Sequence, residues 1–175
     1  MRYMIKGKKM NYLKNNKGFT LVELLIVIAI IIALLSLAAL AYNSYMVRYN
    51  IEKEIKDLYA DLITARMRAL YRNQQYLIQL ATNSYTTYID NDQDGQVDNP
   101  GDTPVDDLTK SGIIYDLTWN FGGNTSRIVF DHKGLANVNG RIRINRNNDA
   151  EYDCINVANT RIKLGKWNGA SCVNR

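Results

Sequence analysis

This chain of 175 residues holds two cysteines, two prolines and one histidine, and each shortage closes something off. The single histidine, His132, sits in the turn-like stretch Asp131-His132-Lys133-Gly134, with no arrangement around it that would orient a nucleophile. No zinc site, phosphate loop or serine triad is legible, so no enzyme is expected. Neither proline precedes Pro100, which leaves a helix before it without a built-in break in its hydrogen-bond ladder. The chain has no acid before Glu23. It shows no internal repeat and no low-complexity linker.

What is abundant is one apolar run. From Phe19 to Ala41 the chain has twenty-three residues with a single charge, Glu23, and two hydroxyls, Thr20 and Ser36. At about 1.5 Å per helical residue this is enough to cross a bilayer core of about 30 Å, which predicts a membrane-tethered protein. A lone carboxylate five residues into such a helix costs several kcal/mol unless something pairs with it. Before the run stand Arg2, Lys6, Lys8, Lys9, Lys14 and Lys17, which keep residues 1–18 on the cytoplasmic side. Without them the rest of the chain has sixteen basic and seventeen acidic residues. The basic character of the whole chain is therefore mostly that of its first residues.

A basic leader ending in Lys17-Gly18, then Phe19-Thr20-Leu21-Val22-Glu23 and an unbroken apolar helix, closely resembles the prepilin leader of type IV pilins and type II secretion pseudopilins. The resemblance implies cleavage between Gly18 and Phe19 by a membrane prepilin peptidase and methylation of the new N-terminus. It also implies a partner for Glu23, the terminal amine of a neighbouring subunit, in keeping with the rule that a buried charge is tolerated when paired. Many members carry a Pro within this helix; here Leu40 lies near that place. The implied location is the inner membrane, single-pass, with the head in the periplasm or, once assembled, at the cell surface. The implied partners are other pilins or pseudopilins and the assembly-platform proteins.

From Tyr42 to about residue 73 the chain stays helical but becomes amphipathic. Ile51, Ile55, Leu58, Leu62, Ala65 and Ala69 recur at spacings of four and three, with Glu52, Lys53, Lys56, Asp57 and Arg68 off the stripe. Tyr42, Tyr45 and Tyr49 suit either a membrane interface or packing within the head. Beyond Asn73 the period becomes alternating: Tyr76 to Ala81, Tyr85 to Ile89, Ile113 to Trp119, Arg127 to Asp131, Arg141 to Asn145, Tyr152 to Ala158 and Arg161 to Leu164 read as short strands. The expected fold class is α+β: a long N-terminal helix, 19–41 in the membrane or filament core and 42–73 packed on an antiparallel β head of residues 74–175.

An acidic loop over 90–107 interrupts that head, with seven aspartates and no basic residue. Asp90, Asp92, Asp94 and Asp98 fall at positions one, three, five and nine of the run, with Gly95 at six for the sharp turn and Gln96 offering a carbonyl at seven. That spacing suits a Ca²⁺ ion, which takes carboxylate and carbonyl oxygens. Position twelve is Gly101 instead of Glu, so a bidentate ligand has to come from elsewhere, such as Asp102. A solvated acidic loop is the alternative. Cys154 and Cys172, outside the cytoplasm, predict a disulfide, stabilising by roughly 3 kcal/mol in the chain-entropy model.

The stretch Ile128 to Gly134, followed by a strand and a Cys-bounded hairpin, is similar to the heads of H-type pseudopilins and FimT-like minor pilins. Some of the latter bind DNA through Gly-Arg-x-Arg in that hairpin. Here the hairpin reads Asn159-Thr160-Arg161-Ile162-Lys163, and the literal Gly140-Arg141-Ile142-Arg143 lies before Cys154. Arg141 and Arg143 share one strand face, as do Arg161 and Lys163, and the four make a candidate phosphate patch or a solvated, edge-guarding face. The expected function is a minor pilin or pseudopilin subunit of a type II secretion pseudopilus or a type IV pilus. The alternative is a DNA-binding minor pilin for DNA uptake.

Overall fold

The computed structural model describes residues 18–98, 101–146 and 149–175, without the side chains at 37–41 and 124. Of the expected leader only Gly18 falls within them. Helix α1 runs Leu21–Arg72 with no glycine or proline to break it. Thr20 caps its start, accepting the Glu23 N–H at 3.2 Å. Asn73 ends it at φ 53, and the Gln74 N–H reaches back to the Ala69 carbonyl at 3.3 Å. A left-handed residue followed by an N–H that bonds to the carbonyl five residues back is a Schellman stop, for which Asn is second only to Gly.

Two units divide the chain, residues 1–42 and 43–175. In the first, the apolar side chains from Leu21 to Leu35 are exposed. Among the described residues no helix is long and apolar enough to cross a membrane; the span expected over 19–41 includes 37–41, whose side chains lie outside the description.

The second unit contains the β head and the helix turns that pack on it. Among the described residues ten strands follow α1: β1 (Gln75–Ala81), β2 (Ser84–Asp90), β3 (Thr103–Pro104), β4 (Lys110–Ser111), β5 (Leu117–Phe121), β6 (Arg127–Phe130), β7 (Gly140–Ile144), β8 (Cys154–Ala158), β9 (Arg161–Trp167) and β10 (Cys172–Asn174). One antiparallel sheet has the order β3-β2-β1-β6 with β4 also on β2, and the other the order β10-β9-β8-β7-β5. The helical stripe Ile51, Ile55, Leu58, Leu62, Ala65 and Ala69 is 0–1% exposed. It packs into one cluster with Tyr76, Ile78 and Leu80 from the first sheet and Ile142, Ile155 and Val157 from the second. Each large aliphatic chain buried this way contributes about 1.5–3 kcal/mol.

Polar links border this core. The Tyr85 hydroxyl donates to Asp61 Oδ2 at 2.5 Å, Lys110 pairs with Asp57 at 2.7 Å, and Arg68 grips Asp107 through both Nη atoms. Burial first, and then the bond to Asp61, hold the Tyr85 phenol far above its usual range. Glu54 is 7% exposed; its Oε1 accepts the Ile114 N–H at 2.8 Å, and its Oε2 is buried with no hydrogen-bond partner among the described residues.

The strand expected over Ile113 to Trp119 begins at Leu117 instead. Gly112, at φ 71, turns the chain there, and the Ile113 N–H bonds to Asn83 outside any ladder. β3, β4 and β10 are two or three residues long. Pieces this short carry no alternation to read.

Candidate functional site

Three groups of side chains were singled out by the sequence: the helix start, the aspartate loop and the basic strand face. At the helix start Phe19 is 84% exposed and Glu23 lies in the first turn. Thr20 and Glu23 stand in the Thr-x-x-Glu spacing of a capping box, of which the Glu23 N–H to Thr20 bond is one half. Negative charge in a first helical turn is also favoured by the backbone dipoles.

The aspartate loop leaves β2 at Asp90 and returns at β3, which pairs Ile89 with Thr103. Asp90 is 2% exposed and organises the loop. Its Oδ1 accepts the Gln93 N–H at 2.7 Å, while Oδ2 takes the Gly95 N–H at 2.9 Å and Gln75 Nε2 at 2.7 Å. Gln93 and Gly95 both adopt positive φ. A Cβ on Gly95 would lie 3.8 Å from Val129 Cγ2, which places this turn over the outer side of β6.

Carboxylate oxygens converge in two triads, Asp90 with Asp92 and Asp102, and Asp92 with Asp94 and Asp98, each within 4.8 Å. Asp92 belongs to both. Gln96 is turned toward Asp94, its backbone N–H donating to Oδ1 at 2.7 Å and its side-chain nitrogen to Oδ2 at 3.3 Å. Asp102 accepts the backbone N–H groups of Asn91 and Asp98, each at 3.3 Å. At position twelve Gly101 makes room for the Asp98 carboxylate, since a Cβ there would sit 2.6 Å from Asp98 Oδ1. Desolvation, then the charges of Asp92, Asp102, Asp94 and Asp90, hold the Asp98 carboxyl above its usual range. Residues 99 and 100 of this loop lie outside the described residues.

On the second sheet the register aligns Asn120, Arg141, Asn156 and Lys163 across β5, β7, β8 and β9, with Arg161 opposite Ala158. All four predicted basic residues therefore stand on one outward face. Sequence reading missed the residue that organises two of them. Trp167 lies on that face two positions beyond Gly165, and Arg141 and Arg143 both lie against its ring, 4.8 and 4.5 Å from the centroid. Such contacts contribute about 0.5–1 kcal/mol at exposed sites. The signal was available: continuing the alternation of β9 past Leu164 puts Trp167 on the same face as Lys163.

Trp167 is itself held from below. Asp153, 3% exposed, accepts the Trp167 N–H at 2.6 Å and pairs with Lys166 at 3.0 Å. Thr118, Asn120, Arg141, Arg143 and Trp167 line a cleft of about 210 Å³. Next to it Arg143, Arg146, Lys166 and Trp167 border one of about 470 Å³, with Arg146 4.8 Å from the Tyr115 ring centroid.

Cys154 and Cys172 form the expected disulfide. It joins β8 to β10, which flank β9, and Gly165 of β9 provides the space. A Cβ at Gly165 would stand 2.8 Å from the Cys172 sulfur.

A family model described as "Type II transport protein GspH" matches residues 54–160. A second, described as "Prokaryotic N-terminal methylation motif", matches residues 13–40. A fimbrial protein of Pseudomonas aeruginosa is 27% identical over 143 residues, 81% of this chain and 86% of that protein. The crystal structure of the Pseudomonas aeruginosa type IV minor pilin FimU is similar at a TM-score of 0.51 and 16% identity, over 70% of this chain and 92% of that one. The minor pseudopilin EPSH from the type II secretion system of Vibrio cholerae gives a TM-score of 0.50 at 13% identity, over 67% and 94% of the two chains. These two likenesses are likenesses of fold.

Proposed function

The chain belongs to the family of type II transport protein GspH, and from that premise we propose how it works as a pilus or pseudopilus subunit. It is cut after Gly18, methylated at Phe19 and held in the inner membrane by the apolar part of α1 until assembly, with its β head in the periplasm. The observation that carries this reading is the exposure of every described large apolar side chain from Phe19 to Leu35. A water-soluble chain does not leave such a surface open, since contiguous apolar patches mark interaction sites. Lipid covers it first and neighbouring helices in the filament second. The partners are then the prepilin peptidase, the assembly-platform proteins and other subunits, and the protein acts by assembling.

Within the filament Glu23 pairs with a neighbour's terminal amine, so Glu23→Ala is expected to block incorporation while leaving the head folded. Its incorporation at the parental level overturns the pairing. The processing is tested by the mass of the protein recovered from membranes of its host: a chain starting at Phe19 plus one methyl group is expected, and an intact leader overturns the reading.

The two aspartate triads support Ca²⁺ as a structural ion of the loop, with Asp90, Asp92, Asp94, Asp98, Asp102 and the Gln96 carbonyl as its donor set. Calorimetric titration of Ca²⁺ is expected to give saturable heat, reduced in Asp92→Asn because both triads share that residue. The alternative of DNA uptake draws on Arg141, Arg143, Arg161 and Lys163. It requires a mobility shift that weakens steeply with salt.

A further inference from the structure

We propose that the face around Trp167 is a docking surface for the aspartate loop of a second copy of this chain. The inference rests on the assembly reading above and names a contact by which heads meet.

Charge is the first ground. Among the described residues Asp107 is gripped by Arg68 and Asp90 is occupied with Gln75, Gln93 and Gly95. Asp92, Asp94, Asp98 and Asp102 form a crowded anionic cluster in which Asp92, Asp94 and Asp98 are exposed. Among the described residues no ion pair joins this loop to the chain's own basic face. With no divalent cation in the loop, these carboxylates attract cationic side chains from outside.

Geometry is the second ground. Trp167 holds the Arg141 and Arg143 guanidinium planes in place. A planar fork fixed in advance loses less freedom when it takes a carboxylate bidentately. Lys163 and Arg161 extend the positive face along β9, where both are exposed. Val97, 37% exposed between Asp94 and Asp98, presents an apolar tip suited to the ring of Trp167.

Topology supplies the third. The loop belongs to the first sheet and the basic face to the second, so two different patches of one chain are complementary. A contact between unlike patches is heterologous and repeats without closing on itself unless its rotation makes a ring. Filaments are built from contacts of that kind.

The experiment uses two versions of the full chain in detergent, with chelator present: one carrying Val97→Cys in the loop, the other Asn120→Cys on the face. Mixed at low salt under mild oxidation, they are expected to form an intermolecular dimer whose yield falls as salt rises. Arg141→Glu with Arg143→Glu on the second chain cuts the rate of trapping at least about tenfold, as does Asp92→Lys with Asp94→Lys on the first. Combining the two reversed chains restores it. Rescue separates a lost contact from a lost fold, and Arg141→Gln with Arg143→Gln serves if the reversal does not fold. Absence of the parental dimer, or loss without rescue, overturns the proposal. So does a DNA mobility shift that needs Arg141 and Arg143 while trapping ignores them. An intact leader in the recovered protein tells against the assembly reading and leaves this contact standing or falling on the trapping alone.

Discussion

Leu24, Ile28 and Ile31, in the first unit's part of α1, are 56%, 48% and 48% exposed, whereas Ile51, Ile55, Leu58 and Leu62 further along the same helix are 0–1% exposed. The residue types are the same and no breaker separates them. What differs is the pattern around them. In the second stretch charged residues alternate with the apolar stripe, leaving one side for the head's core and the other for water. The first stretch is apolar all round, so no single face is set aside for the chain's own core. A helix of that kind suits the covering by lipid or other helices proposed above.

The sharpest way to break this comparison is to truncate one side chain in each stretch. Leu62→Ala empties a fully buried site and is expected to cost about 2–5 kcal/mol of head stability, read by chemical denaturation. Leu25→Ala, at a site 62% exposed, is expected to change that stability by less than about 0.5 kcal/mol and to show its effect in filament incorporation. Equal losses of head stability in the two variants would mean that the stretches are not different in kind.

Next in size is the disulfide, which has no counterpart in the helix's first stretch. Cys154→Ser with Cys172→Ser is expected to remove about 3 kcal/mol from the head while leaving membrane recovery unchanged. Loss of membrane recovery at permissive temperature would couple two regions that the comparison keeps apart.

Residue types and their spacing reveal the helical half of this molecule more fully than the site. The stripe from Ile51 to Ala69 was readable because a 3.6-residue period leaves a mark every turn, and all six of its members are sealed. Most long strands were readable within a residue or two by alternation. β3 and β4 exist through pairing with β2 alone, a relation between distant segments that no local pattern encodes. The four basic residues of the candidate face were legible as two pairs. Their union needed the β7-β8-β9 register, and their anchor, Trp167, needed the true end of β9. Glu54, an acid inside the core, was hidden because it adjoins the apolar stripe among ordinary surface charges.

The smallest expected effect concerns the two acids that mark the two stretches. Glu23 is the only charge from Phe19 to Ala41, whereas Glu52 is held by Arg48 at 3.0 Å, by Lys56 at 3.3 Å and by the Glu151 N–H at 2.9 Å. Burial pushes the Glu52 carboxyl upward, but the bond from Glu151 and those from Arg48 and Lys56 outweigh it, and the net shift is below the ordinary 4.5. A depressed native pKa means that the native state binds the proton less readily than the unfolded chain. The stabilisation is therefore complete above about pH 4.5 and is lost as pH falls through the lower native value. In Glu52→Gln the head should be less stable than the parent at pH 7, with the gap narrowing below pH 4.5. A gap that stays constant across that range would show that Glu52 acts through packing, and would remove charge from the account of how this stretch of α1 is tied to the segment at Glu151.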